Sequence, residues 1–506
     1  MKPASSSRWI LLAAALLAGA ITCGGSPTRG QPAADDDASP NFSPSLNYGV
    51  TDFNYYSGPE YLADQEFLAS HVDLAIIGQG DAPMTAAWQQ IHADGPRGKW
   101  LDWRTTHLFY TNDVGGTCAA PTPGAASSEY AQDTQRLAAF LAANPQYGDG
   151  ESCFLHAQND GRIQATWQCG GCQVTLQQKG LSGGAKGVLK DARLWTIVYD
   201  GYTWLFNLAS PCAQDLAAWQ AEQFIQQGLS GEGYDNLGSP TADGYYLPAL
   251  LDPIDIVELP ASAQTSVAAE DGWYYPTVAA FLTAVRDKAR AVNPGATIVF
   301  NGAAYCSWDG STAQQAALAN EGVGVWCENA LQVPSEGPLG TADRLQALIG
   351  FSQALAAKGS FLALETFYND GANPTAPEIM FFLAAYYNFK NGQDALIVRP
   401  SWSPYEPFMD TSWFAVFGRD VGQPLGPSTA GANGVFSRAY RNSLGQTILV
   451  LVRADGTNPA VPVALAADYC SVGADNTLTP LNAGTLTMNS GDGYILIERG
   501  TGGCNC

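Results

Sequence analysis

The sequence predicts an α/β chain built as a (β/α)8 TIM barrel, followed by a small C-terminal all-β sandwich. Three observations predict it. Strand-like apolar runs alternate with helical patterns across residues 45–422. Two of those runs stop at a carboxylate followed by Asn: Gly231-Glu232-Gly233-Tyr234-Asp235-Asn236-Leu237 and Val323-Gly324-Val325-Trp326-Cys327-Glu328-Asn329. Acids at strand tips are how such a barrel builds a catalytic site. Beyond residue 423 the helical period vanishes, and short apolar runs alternate with turn-rich segments.

Taken in order, the first 23 residues read as an export signal. Lys2 and Arg8 precede an apolar run from Trp9 to Ile21 that ends at Cys23. That run is shorter than the roughly 20 residues a membrane-spanning helix needs. Leu17-Ala18-Gly19-Ala20-Ile21-Thr22-Cys23-Gly24 is lipobox-like, so Cys23 is the expected lipidation site, with ordinary secretion and nearby cleavage as the other route. The expected location is the cell envelope, lipid-anchored, or the extracellular space. Residues 24–44 hold Gly, Ser, Pro, Ala and an Asp35-Asp36-Asp37 run, a composition that buries no core and reads as a disordered tether.

Eight strands are predicted for the barrel: 47–54, 72–78, 106–111, 232–236, 297–301, 322–327, 361–366 and 395–399. Helical spacing falls between them at 129–142, 214–227, 276–292, 342–357 and 377–389. The helix opening at Pro276 aligns Val278, Phe281, Leu282 and Val285, and Asn293-Pro294-Gly295 stops it. Residues 148–207 break the rhythm and read as an elaborated loop with short antiparallel strands. Long loops at a barrel's top commonly shape a substrate site. Residues 423–506 are the predicted β domain.

Composition narrows the function. The 506 residues carry 24 Lys and Arg against 47 Asp and Glu, a net charge of −23, and that field repels nucleic acid. Hydrophobic residues at 46% suffice for a large core. Setting Cys23 aside leaves ten of the 11 Cys, an even number suited to disulfides in an exported protein. Cys306 with Cys327 is the expected pair, and the Cys169-Gly-Gly-Cys172 motif is expected to be structural. The four His (His71, His92, His107, His156) are scattered, so no metal site is expected. Gly180-Leu181-Ser182-Gly183-Gly184 matches a nucleophile elbow only in letters, because a polar segment precedes it and every His lies before Ser182. No cofactor motif appears.

What remains is carboxylate chemistry. Cleaving a glycosidic bond takes two carboxyls, about 5–5.5 Å apart for retention and about 6.5–9.5 Å for inversion. Tips of the fourth and sixth strands face one another across a barrel mouth, which sets Asp235 against Glu328. Asp235, beside Asn236, suits an ionised nucleophile. Glu328, between Trp326 and an apolar strand, suits a proton donor. Glu365 at the seventh tip is a third acid, able to bond a sugar hydroxyl or to replace Glu328 as donor. Asp52 and Asn54 at the first tip, Tyr110 at the third and Asn301 at the fifth are expected to touch sugar, as is Asn236. Trp326 and Tyr368 are expected to stack on pyranose faces.

These residues resemble the (β/α)8 glycoside hydrolases of family 114, the endo-α-1,4-polygalactosaminidases, and the hypothetical glycosyl hydrolase family 15. The resemblance runs over residues 45–500. Its carriers are Gly233-Tyr234-Asp235-Asn236, Ile298-Val299-Phe300-Asn301-Gly302, the Val323–Glu328 run, and Val435-Phe436-Ser437-Arg438-Ala439-Tyr440 with Ile448-Leu449-Val450-Leu451-Val452. It implies Asp235 as nucleophile and Glu328 as acid/base. The chain departs from the pattern at Glu232 and at the Tyr305-Cys306-Ser307-Trp308 loop. The expected protein is an exported, monomeric glycoside hydrolase acting on a poly- or oligosaccharide without a cofactor, touching membrane only through a lipid anchor. The alternative is a non-catalytic glycan-binding surface lipoprotein on the same scaffold.

Overall fold

The computed structural model describes residues 46, 48–52, 71–77, 99–105, 107–111, 128–156, 165–169, 172–176, 195–198, 201–235, 237, 257–301, 319–335, 337, 340–366, 374–398, 414–455, 459–500 and 503–504. Its first thirteen strands are β1 (Tyr48–Asp52), β2 (Leu74–Ile77), β3 (Lys99–Thr105), β4 (His107–Thr111), β5 (Ala165–Cys169), β6 (Cys172–Leu176), β7 (Trp195–Val198), β8 (Gly201–Leu205), β9 (Gly231–Asp235), β10 (Thr297–Phe300), β11 (Val323–Leu331), β12 (Leu362–Thr366) and β13 (Ala395–Ile397). Among the described residues five α-helices accompany them: α1 (Ser128–Ala143), α2 (Pro211–Gln226), α3 (Val267–Val292), α4 (Ala342–Ala356) and α5 (Ala376–Phe389). Eight strands pair in parallel and close on themselves in the order β1-β13-β12-β11-β10-β9-β3-β2.

Alternation along these strands splits the core in two. Leu74, Ile76, Leu101, Val299, Trp326, Ala363, Ala395 and Ile397, from β2, β3, β10, β11, β12 and β13, form one buried cluster in the barrel's interior. Their neighbours in sequence, among them Ala75, Ile298, Phe300, Val325, Cys327, Leu362 and Leu364, join a second cluster with the helices. Strands buried on both faces read as continuous apolar runs, which is why most were visible in sequence.

Two expectations need correction. The third barrel strand is β3, not 106–111. Leu101 and Asp102 pair with Ile76 and Ile77 on one side, and Leu101 to Thr105 pair with β9 on the other. The predicted segment, β4, instead joins β8 and β7 in a three-stranded antiparallel sheet outside the ring. The strand-like run simply continues past the rim, so composition alone did not mark where the barrel ended. The second correction is α3, which begins nine residues before Pro276, at Val267, with the Ser266 hydroxyl accepting from Ala269 N–H. Proline inside a helix costs a hydrogen bond and crowds the carbonyl four residues earlier. Here the turn before it is anchored by Tyr274 and Tyr275, both buried.

Residues 148–207 carry the β5–β6 hairpin, in which Cys169 and Cys172 sit directly opposite. A disulfide joins Cys153 to Cys212, stapling this region to α2. Cys327 is also disulfide-bonded, while Cys306, its expected partner, lies outside the described residues.

The C-terminal strands are β14 (Gln423–Pro424), β15 (Thr429–Ala430), β16 (Val435–Arg441), β17 (Thr447–Arg453), β18 (Val461–Leu465), β19 (Tyr469–Val472), β20 (Leu478–Leu481), β21 (Gly484–Met488) and β22 (Gly493–Glu498). They form an antiparallel sheet ordered β14-β16-β17-β22-β19-β20, with β15 paired to β16, and a two-stranded sheet β18-β21. One sheet face sends Tyr440, Ile448, Val450, Ile495 and Ile497 into the barrel's helix-side core. The other sends Leu451, Tyr469 and Leu496 against Val461, Leu486 and Met488 of the small sheet. At Gly493 a Cβ would stand 2.2 Å from the Met380 carbonyl, so β22 lies on the α5 backbone and only glycine fits.

Candidate active site

Parallel strands in a closed ring put all their carboxyl ends on one rim, and the acids gather there. Asp235 ends β9, paired across to Thr105 of β3. It shares the alternation of Gly231 and Gly233, whose register partners include Leu101 and Val299 of the interior cluster. Asn301 follows β10 directly, Glu328 sits on β11, and Glu365 lies on β12 opposite Ile397 of β13.

Asn301 is the joint of this rim. It is 3% exposed, and its side-chain amide donates to Glu328 Oε2 at 3.0 Å. Its backbone N–H donates to the Tyr234 carbonyl at 2.8 Å, and its carbonyl accepts from Leu237 N–H at 2.6 Å. Those two bonds flank Asp235 and Asn236 on either side. Leu237 is fully buried, and its carbonyl accepts from the Tyr274 hydroxyl of α3 at 3.2 Å. The chain around Asp235 is thus tied to β10 and α3, and β10 is tied to Glu328.

The support beneath is equally specific. Trp326, expected to stack on sugar, is 1% exposed and belongs to the interior cluster, so it forms the floor under Glu328 and offers no open face. Glu328, two residues further along β11, is half-buried. Glu365 is fully buried. Glu232, the position that departs from the family pattern, is fully buried on the helix side and accepts the Tyr234 hydroxyl at 2.7 Å. Tyr234 in turn meets the Phe281 ring of α3 edge-on, with centroids 5.5 Å apart.

The expected site residues therefore divide. Asn301, Trp326, Glu328 and Glu365 come together at the rim or just below it. Of Asp52, Tyr110 and Asp235 the strand position alone is described. Asp52 ends β1 on the same rim, whereas Tyr110 lies on β4, outside the barrel ring, because the third barrel strand stops at Thr105. Asn54, Asn236, Tyr368 and Cys23 lie outside the described residues. Three contributors were not anticipated from sequence: Leu237, Tyr274 and Arg344 of α4. Tyr274 was hidden by Pro276, which reads as a helix start. An arginine in the first turn of an amphipathic helix carries no signal of what it reaches.

Chemically, the rim presents a half-buried carboxylate with an amide donor fixed on one oxygen and a second acid on a strand tip whose flanks are pinned to that same amide's residue. Such a pair, held by packed secondary structure, is suited to acid, base or nucleophilic work on a neutral polar substrate. Among the described residues no group of three or more His, Cys, Asp or Glu is placed to hold a metal ion.

No family model matches the chain, and neither does any curated protein. Solved structures do. An alpha-glucosyl transfer enzyme aligns with TM-score 0.50 at 11% identity, over 90% of this chain and 99% of that one. A GH27 β-L-arabinopyranosidase from Geobacillus stearothermophilus aligns with TM-score 0.47 at 7% identity, over 91% and 98% of the two chains. An alpha-amylase from H. orenii gives 0.46 at 11%, over 90% and 100%. At 11% identity the likeness to the alpha-glucosyl transfer enzyme is one of fold alone, and it does not single out family 114.

Proposed function

We propose that the protein is an exported glycoside hydrolase that cleaves O-glycosidic bonds of a poly- or oligosaccharide by a two-carboxylate, retaining mechanism. One observation carries the reading: Asn301 links Glu328 by its side chain to the strand tip bearing Asp235 by its backbone. Two acids working on one bond need a fixed separation, and this link ties one to the strand tip of the other.

In this reading Asp235 attacks the anomeric carbon while Glu328 protonates the departing oxygen, forming a glycosyl-enzyme. Glu328 then takes a proton from water as that water displaces Asp235, which restores both groups. Asp52, Asn54, Asn236 and Tyr368 are assigned to the subsite wall, and Glu365, fully buried, to the layer of support beneath it. The resemblance to family 114 supports the two roles. The barrel shared with a sugar-transferring enzyme accommodates them. Export rests on the N-terminal segment and is supported by disulfides such as Cys153–Cys212 and Cys470–Cys504. Cys23 carries the lipid anchor of an otherwise monomeric protein.

The test is release of reducing sugar from a panel of microbial and plant polysaccharides by the mature protein. Asp235→Asn and Glu328→Gln variants are expected to lose about 10³-fold or more in kcat while unfolding at the wild-type temperature. Retained turnover in either variant sinks the assignment. Binding of a glycan with no turnover by wild type would replace the enzyme with a glycan-binding lipoprotein.

A further inference from the structure

Glu328 does not sit in regular sheet. Cys327 pairs with Leu364 and Leu331 with Thr366, so four steps along β11 face two along β12. Two extra residues are therefore accommodated between those pairs, and Glu328 lies among them. A bulge of this kind re-aims side chains, and it leaves ladder groups that something else must satisfy.

Arg344 meets that need. It lies in the first turn of α4, behind the N-cap Thr341, and is 1% exposed. Its Nε and Nη2 both donate to the Ala330 carbonyl, at 3.2 and 3.1 Å. The intervening chain is folded tightly enough to bring them together. At Gly340 a Cβ would stand 2.4 Å from the Gln332 carbonyl oxygen and 2.5 Å from Pro334 N, so the return passes only over glycine. A planar guanidinium can grip one carbonyl with two N–H groups, which a lysine cannot. Burial lowers the Arg344 pKa to about 10, which leaves the group charged at neutral pH.

We infer that Arg344 is a positioning residue that clamps the bulge and so sets where Glu328 stands, an inference that rests on Glu328 being the acid/base. Both described hydrogen bonds of the guanidinium fall on Ala330, two positions beyond Glu328. Its effect passes through Ala330 and two residues of backbone. The expected signature is a loss of turnover without a loss of substrate affinity, together with loosening confined to the bulge.

The experiment pairs hydrogen–deuterium exchange with kinetics on wild type, Arg344→Lys and Arg344→Met. In wild type the amides of 328–331 should be protected despite the register shift; exchange there as fast as in an open loop overturns the clamp. In Arg344→Lys, exchange at 328–331 is expected to rise about tenfold or more, with β12 and the rest of α4 unchanged. On whichever polysaccharide wild type hydrolyses, kcat should fall about 10- to 100-fold with KM within about twofold. An unchanged bulge, or intact kcat with a loosened bulge, overturns the inference. Should wild type hydrolyse nothing, the glycosidase reading has failed, and the exchange arm still decides whether Arg344 holds the bulge. Arg344→Met, the larger disruption, must exceed Arg344→Lys in the same direction.

Discussion

Asn301 shows what one residue can decide. Its backbone completes the β9–β10 pairing on both sides of Asp235, and its amide reaches Glu328. Replacement by alanine removes only the side-chain link, so the strands should stay paired. We expect Asn301→Ala to lower kcat about 10- to 100-fold with a stability loss near 1 kcal/mol, checked by steady-state kinetics beside urea unfolding. Loss of several kcal/mol with unchanged kcat would make it a structural residue alone. Asn301 was legible in sequence because it follows an apolar run at a strand tip, but only as a residue expected to touch sugar. Its partner, 27 positions along the chain, was not. A hydrogen bond between two strand tips depends on register, and register leaves no mark in composition. Glu328 and Asp235 were legible for the same reason as Asn301, each a polar stop on a buried strand.

Among elements, the long excursion between β3 and β9 shows a different balance. Its irregular sequence predicted short antiparallel strands, but nothing in it predicted the His156 lock. The His156 ring lies between Glu258 Oε1 at 2.7 Å and Glu151 Oε2 at 3.2 Å, and the His156 backbone N–H donates to Glu258 Oε2 at 2.7 Å. Burial alone would push the imidazole down, but hydrogen bonds and charge from the two carboxylates outweigh it and raise the pKa to about 9 from an ordinary 6.5. A raised pKa stabilises the fold fully below pH 6.5, and the contribution fades as pH climbs through about 9. After discounting for solvent screening this amounts to about 2 kcal/mol. The stability difference between wild type and His156→Gln, measured by urea unfolding, should therefore shrink by about that much between pH 6.5 and pH 9.5. A difference that stays flat, or grows, rules out a charged lock. The α3 helix gives the complementary lesson. Its apolar stripe was plain, but its start was misplaced by nine residues, because tertiary burial of Tyr274 and Tyr275 overrode the local penalty at Pro276.

For the whole molecule, the decisive surface is where the β sheet meets α5. Residues Ile379 to Phe389 of that helix are all buried, and its carboxyl end is closed by the other unit. Arg438 of β16 donates Nη1 to the Lys390 carbonyl at 2.5 Å and to that of Tyr387 at 3.4 Å, and Nε to Gly426 O at 3.0 Å. The Tyr440 hydroxyl also donates to the Tyr387 carbonyl. Lys390 is fully buried 5.3 Å from the Tyr386 ring centroid, and burial lowers its pKa while raising that of Asp394. Arg438→Ala should cost about 3 kcal/mol by taking the guanidinium donor from the Lys390 carbonyl, while Tyr387 keeps the Tyr440 hydroxyl. Calorimetry should show one cooperative transition shifted to lower temperature; an early, separate melting of the β sheet with the barrel unmoved would contradict a shared core. Seven of the eight barrel strands, and the helices between them, were legible in the amino-acid sequence, because periodicity of apolar residues is local and most strands and helices declare their buried faces within ten or so residues. The sequence by itself determined the acids at the strand tips, for a carboxylate that ends an apolar run is visible wherever it falls. Tertiary structure alone decided that the ring closes through β3 and not through β4, that Trp326 is floor and not platform, and that Asn301 and Arg344 hold Glu328. Those outcomes turn on strand register and on contacts between residues far apart in the chain, which arise only when every element is packed against its neighbours at once.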